Sequence, residues 1–399
     1  MKTITLKNAF KHLSFILLSP FILLFQSCRL GPVVDSGKSN NYYYSRDKKS
    51  VIWSPDGNWF ELGYHKLEGV DAKSFSVLSA HWSKDKNNVY HHYTAFPLVD
   101  INTFQVISED KGYDANHVYL VREYPSPSTI QIIEGADPET YEIMSSLQFA
   151  DMLWGDSNRA WAKDKDHVFL RDVIYTPADA VTFEVLTDEF SRDKTNLYIL
   201  LDTEMHHDVA VIPVNTSELR LLPENKSYIR TESSIFMRKY SFSEKKYKVS
   251  QISMNPADTI EYIGGSFLRI NDVIYEYGEP ITYLEKPIDG LTFRPLDGDN
   301  GNLLFFADKN QVYFYDKQLA VLPGANPETI KQIGSQYYTD GNRVYWGSQI
   351  VEGADPQTFY FDEKQFRGVD GDELFVREKS LKEWEFEGGE WKRITKNNP

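Results

Sequence analysis

Two kinds of apolar pattern run along this chain. The first is a single run from Leu13 to Phe25, broken at Pro20 and preceded by Lys2, Lys7 and Lys11. It is short for a bilayer span, so it predicts a cleaved export signal over residues 1–27 rather than a retained helix. Beyond it, β-forming residues come in short clusters separated by polar turn residues. Trp82, Trp161 and Phe190 each stand just before an Asp-Lys turn, and pairs such as Val89-Tyr90 follow it. That arrangement predicts β-hairpins.

The clusters repeat. One signature, D-K-x-x-V-Y, occurs at Asp85–Tyr90, Asp164–Phe169, Asp193–Tyr198 and Asp308–Tyr313, with looser copies beginning at Asp47, Asp114, Asp340 and Asp370. Asp and Asn bond to nearby backbone and tolerate left-handed conformations, so these aspartates are expected to close hairpin turns and to be structural. A second signature, A-D-P-x-T-F, occurs at Ala136–Tyr141, Ala178–Phe183, Ala325–Ile330 and Ala354–Phe359, with relatives at Val70 and Val99. Its aspartate suits an N-cap and its proline the first helical position, so one capped helical turn is expected. The apolar residue before the cap and the aromatic after it can meet as a staple, as in Val99 with Phe104. From Phe75 to Asp85, Phe104 to Asp114, Phe183 to Asp193, Tyr262 to Asp272 and Ile330 to Asp340 the step is always ten residues. A constant step implies a constant piece of structure.

These two signatures make the chain resemble the DKNYY family of bacterial repeat proteins. The resemblance covers a first block, residues 42–222, and a second, residues 251–378, with a poorly patterned connection at 223–250 and a C-terminal tail at 379–399. It implies an architecture and no activity. The expected fold is all-β, built of tandem hairpin or meander repeats of about thirty residues and three strands each. A solenoid-like or superhelical array is expected, because each repeat needs a neighbour to cover its apolar face. A β-propeller is the alternative, and Trp53-Ser54-Pro55-Asp56-Gly57 is similar to a signature of some propeller repeats.

Leu24-Phe25-Gln26-Ser27-Cys28 resembles the lipobox of bacterial lipoproteins, departing from it at Phe25. The resemblance implies cleavage before Cys28, lipid attachment to it, and a location in the bacterial cell envelope. Residues 28–41, with Gly, Pro, Ser and Asn, then read as a flexible tether. Cys28 is the only cysteine, so no internal disulfide is available. Loss of the three signal lysines takes the net charge from −15 to −18. Such a surface repels phosphate backbones and anionic lipid, which argues against nucleic acid as a partner and leaves acyl chains as the membrane anchor.

Candidate chemistry is sparse. His91-His92 and His206-His207 are adjacent pairs, and neighbours in a strand point to opposite faces, so neither pair alone is expected to chelate a metal. Asp297-Gly-Asp299-Asn300-Gly301 has oxygen ligands at calcium-loop spacing but lacks the glutamate that completes such a loop. No hydrolase elbow, zinc-protease, phosphate-loop or dinucleotide motif is present. No catalytic residue, resident metal or cofactor is therefore assigned; Cys28 is the one assigned site. Aromatic residues make up 14% of the chain and recur at fixed repeat positions, which marks most of them as core and leaves some for a carbohydrate- or peptide-binding face. The expected function is a non-enzymatic, envelope-anchored binding or scaffold protein with a protein or glycan partner. A hydrolase of envelope or extracellular polymers is the alternative.

Overall fold

The computed structural model describes residues 30–57, 64–123, 128–144, 160–201, 208–223, 225–296, 305–381, 384–387 and 390–393. Cys28, His206, His207 and the Asp297–Gly301 loop lie outside them. The chain divides into two compact units, Met1–Lys194 and Thr195–Pro399.

Both units are built from one element, a four-stranded antiparallel meander whose strands pair strictly in chain order. In the first unit the strands of these sheets run from Leu30–Asp35 to His65–Lys66, from Ser76–Val77 to Thr94–Phe96, from Gln105–Val106 to Thr129–Ile132 and from Glu142–Ile143 to Val173–Ile174, followed by the pair Glu184–Val185 and Phe190–Arg192. The second unit opens with the pair Asn196–Leu200 and Val209–Pro213, continues with sheets whose strands run from Arg220–Leu222 to Lys246–Ser253, from Ile260–Gly264 to Glu279–Pro280, from Arg294–Pro295 to Leu319–Val321, from Lys331–Gly334 to Gln349–Ile350 and from Tyr360–Asp362 to Lys379–Ser380, and includes the hairpin Trp384–Glu387 with Glu390–Arg393. The fold is all-β and made of tandem meander repeats, as the sequence predicted. Each repeat has four strands rather than three, because a short strand directly follows the A-D-P-x-T-F turn, as Gln105–Val106 does after Phe104.

Within each unit, successive sheets are joined by shared apolar clusters. Trp82, Val89 and Phe96 of one sheet pack with Phe104, Tyr119 and Val121 of the next. This explains why the third strand reads Val-Tyr instead of alternating apolar with polar. Successive side chains leave a strand on opposite faces, and here both faces are covered. Tyr90 joins the cluster shared with the preceding sheet, and Val89 the one shared with the following sheet. Tyr119 and Val118 divide the same way, as do Tyr313 with Val312 and Tyr345 with Val344.

Three stretches differ from their sequence patterns. Residues 30–41, read as tether, hold the strand Leu30–Asp35 and the start of Ser39–Ser45, paired as a hairpin; Ser36 and Gly37 lie in its turn, and Val34 packs on the first apolar cluster. Residues 223–250 are not a connection but most of a regular sheet, Asn225–Arg230, Ser234–Ser241 and Lys246–Ser253. Their turns lack the Asp-Lys letters, yet Tyr228, Ile235 and Met237 are buried like their counterparts elsewhere. In the supposed tail, Lys379–Ser380 completes the last four-stranded sheet.

Candidate functional site

The turn aspartates do more than close their hairpins. One carboxylate oxygen of Asp85 accepts the backbone N–H groups of Asn87 and Asn88, at 2.7 and 2.8 Å. The other accepts the Tyr90 hydroxyl at 2.9 Å and the backbone N–H of Asp71, in the second signature, at 2.7 Å. Asp114, Asp308 and Asp340 repeat all four bonds, to Asp100, Asp289 and Asn326 upstream and to Tyr119, Tyr313 and Tyr345 downstream. Asp164 makes the backbone bonds, with Phe169 in the tyrosine's place. Burying a carboxylate is costly unless its lone pairs are filled, and here they are filled from both signatures at once. The remaining letters follow. Upstream Thr or Ser hydroxyls accept the N–H after the turn aspartate, as Thr103 does from Ala115 and Thr292 from Lys309. The turn lysine pairs with the upstream aspartate, Lys165 with Asp137 at 2.9 Å and Lys194 with Asp179 at 2.8 Å. One helical turn forms at the second signature, with the Phe104 N–H bonded to the Asp100 carbonyl and Val99 packed in the same cluster as Phe104. At Asp272 the pattern degenerates: Asn271 takes the left-handed turn position and accepts the upstream N–H of Thr259.

One repeat departs from this plan. Six and seven residues after the turn aspartate the copies carry Leu120-Val121, Leu170-Arg171, Ile199-Leu200, Phe314-Tyr315, Trp346-Gly347 and Val376-Arg377, but the repeat at Asp85 carries His91-His92. Strand alternation does not separate this pair. His92 follows the strand Val89–His91, has a φ of 53°, and turns its ring to 4.3 Å from that of His91. His81 stands across the hairpin, its carbonyl accepting the His92 N–H at 2.7 Å. Glu123, at the end of the strand Val118–Arg122 in the next sheet, puts a carboxylate oxygen 3.6 Å from Nδ1 of His92. Each of these four residues offers one potential ligand atom, and all four atoms lie within 4.8 Å of one another. Trp53 stacks on the His92 ring at 4.3 Å, and Trp82 meets His91 edge-on at 4.8 Å. Burial lowers the pKa of His91 to about 4, with the Glu109 carbonyl opposing; burial and the neighbouring histidines lower that of His92 to about 3. Both imidazoles are therefore neutral at ordinary pH.

The second unit contains a cleft of about 860 Å³ lined by Tyr240, Phe242, Tyr277, Tyr283 and Tyr315, with Glu276, Glu279, Asp316, Lys239 and Lys317 beside them. Phe242 is 86% exposed and lines the cleft together with the partly exposed Tyr240 and Tyr277, so the apolar surface there is grouped rather than scattered. The Tyr283 hydroxyl donates to Glu276 at 2.8 Å and accepts the Leu319 N–H at 3.0 Å, which fixes that ring at the rim.

Of the sequence-level candidates, the structure brings His91 and His92 together and places the turn aspartates inside hairpins. No motif in the sequence marks His81, Glu123 or the cleft tyrosines. For the histidines a signal existed: a polar pair at repeat positions that other copies fill mainly with apolar residues.

Taken together, strictly sequential four-stranded meanders latched by buried Asp-Lys turns define a tandem β-repeat protein. The DKNYY family model matches residues 5–123 and 114–379, and the chain belongs to the DKNYY family. No curated protein and no solved structure matches it.

Proposed function

We propose that this is a lipid-anchored protein of the bacterial cell envelope that binds a neutral glycan through the tyrosine-lined cleft of its second unit. The cleft carries the reading. Exposed faces of Tyr240, Phe242 and Tyr277 suit the apolar face of a sugar ring, and the carboxylates and lysines around them suit its hydroxyls. A net charge of −15, or −18 without residues 1–27, disfavours polyanionic polymers. Anchoring rests on the sequence pattern ending at Ser27-Cys28, with acyl chains on Cys28 holding the protein at a membrane. Glu276, Glu279 and Asp316 lie together in the same cleft, which supports a hydrolase acting on such a polymer as the second reading.

The test is retention of the purified chain on immobilised neutral polysaccharides. Binding that falls at least tenfold in Phe242→Ala and Tyr240→Ala supports the proposal; binding to none, or binding indifferent to both, overturns it. Turnover of a polysaccharide, abolished by Glu276→Gln, replaces it with the hydrolase. For the anchor, Cys28→Ser should move the protein into the soluble fraction. Sedimentation of that variant with membranes after a high-salt wash would refute lipidation.

A further inference from the structure

His91 is fully buried at a position other repeats fill with Leu120, Leu170 or Ile199. Its Nε2 lies 2.8 Å from the Glu109 carbonyl oxygen, so Nε2 carries the proton and donates it there. Nδ1 is then an unprotonated acceptor, and it has no hydrogen-bond partner among the described residues. A buried acceptor left unpaired is costly, and an apolar residue would fill the position without that cost. His91 therefore fits an occupant that needs the lone pair.

The surroundings supply the rest of such a site. His81, His92 and Glu123 place their ligand atoms within 4.8 Å of each other and of the one from His91, and among the described residues no other group of His, Cys, Asp or Glu is so arranged. A carbonyl bonded to the far ring nitrogen is the usual support of a metal-bound histidine, because it fixes the tautomer and the ring orientation. Three imidazoles and a carboxylate suit a borderline divalent ion, and four protein ligands make a closed, structural set rather than an open catalytic one.

We propose that His81, His91, His92 and Glu123 form a zinc(II) site that clamps the His81–His92 hairpin to the end of the Val118–Arg122 strand in the next sheet. The site lies in the first unit and shares no residue with the tyrosine cleft, so it stands or falls independently of glycan binding.

The test uses the full-length chain without a polyhistidine tag, purified in detergent, stripped with chelator and titrated with zinc(II), with cobalt(II) as a spectroscopic probe. One equivalent should bind, raise the melting temperature and give the intense visible absorption of four-coordinate cobalt(II). Binding of cobalt(II), an open-shell and absorbing ion, should quench tryptophan fluorescence, because Trp53 stacks on His92. Glu123→Gln, at an exposed position, should weaken zinc affinity at least tenfold while leaving the metal-free melting temperature unchanged. His91→Leu, which restores the residue of neighbouring repeats, should abolish the cobalt spectrum in a folded protein. Absence of stoichiometric binding to the parent chain, a six-coordinate cobalt spectrum, or affinity indifferent to both substitutions overturns the site.

Discussion

The Tyr119 hydroxyl donates a hydrogen bond of 2.7 Å to the buried carboxylate of Asp114. The same carboxylate oxygen accepts the N–H of Asp100 at 2.9 Å, so a strand residue, a turn residue and the preceding capped turn meet on one atom. Burial alone would raise the pKa of Asp114, but the bonds from Tyr119, Asp100, Asn116 and His117 outweigh it and hold the pKa below the ordinary value. Recurrence of this junction along the chain is why the Asp-Lys turn and the strand tyrosine recur in its sequence.

The junction makes its two partners unequal. Asp114→Ala leaves three backbone donors and one hydroxyl without their acceptor, and unpaired buried groups cost roughly 1–3 kcal/mol each. It should destabilise by about 3 kcal/mol or more, as read by denaturant unfolding. Tyr119→Phe removes one donor of four and reproduces the natural arrangement at Phe169, so it should cost only about 1–2 kcal/mol. Equal losses from the two would mean that the carboxylate is not the hub.

The second signature gives a contrast of the same kind. Phe359 is buried between Tyr337 and Phe375, with ring centroids 5.2 and 5.6 Å away. Phe359→Ala should cost about 3–5 kcal/mol as a truncated core aromatic. Asp355 caps its turn by accepting the Gln357 N–H at 2.9 Å, while its own N–H, which Asp370 accepts, survives substitution. Asp355→Ala should cost only about 1 kcal/mol. Comparable small shifts in the two melting curves would refute the staple.

Gly112 lies under Phe104, so close that a Cβ there would come within 2.4 Å of the ring. Phe104 cannot retreat freely, since Trp82 packs against it at 5.1 Å. Gly112→Val should therefore overpack the cluster and destabilise by about 1–3 kcal/mol. An unchanged melting temperature would show that this contact has slack.

The hairpins, the capped turn and the constant step were legible in the sequence because each depends on residues close together in the chain. Asp85, Asn87 and Asn88 specify their turn locally, and Asp100 with Phe104 specify theirs. What escaped depends on partners distant in sequence or on backbone that breaks a period. The sheet at Tyr228 and Met237 was hidden because its turns use other residues, although its buried positions match. Adjacent histidines were expected to diverge, and the left-handed backbone at His92 cancels that alternation. Nothing in the spacing connects Glu123 to His92, because they meet only when two sheets stack. The cleft draws Tyr240 and Phe242 from a segment whose pattern had looked irregular.

The paired surface charges set the pH range of stability. Hydrogen bonds from Lys86, Lys165, Lys194 and Lys309 come first among the causes that lower the pKa values of Asp71, Asp137, Asp179 and Asp289. Bonds from turn hydroxyls and backbone N–H groups add to the effect. An aspartate whose folded pKa lies below its unfolded value of about 3.9 stabilises the fold above that pH, and the contribution is lost as pH falls through the folded value. The lysines are the mirror case: their pKa values are raised by the same carboxylates. Their contribution is complete below the unfolded value of about 10.4 and is lost as pH rises through the folded one. Thermal stability should therefore fall off below about pH 4 and again above about pH 10.4. Because these pairs are solvent-exposed, salt should shrink both effects. Melting temperatures across pH at low and high salt check this. An acid edge that is insensitive to salt would assign acid unfolding to the buried turn aspartates instead of the lysine pairs.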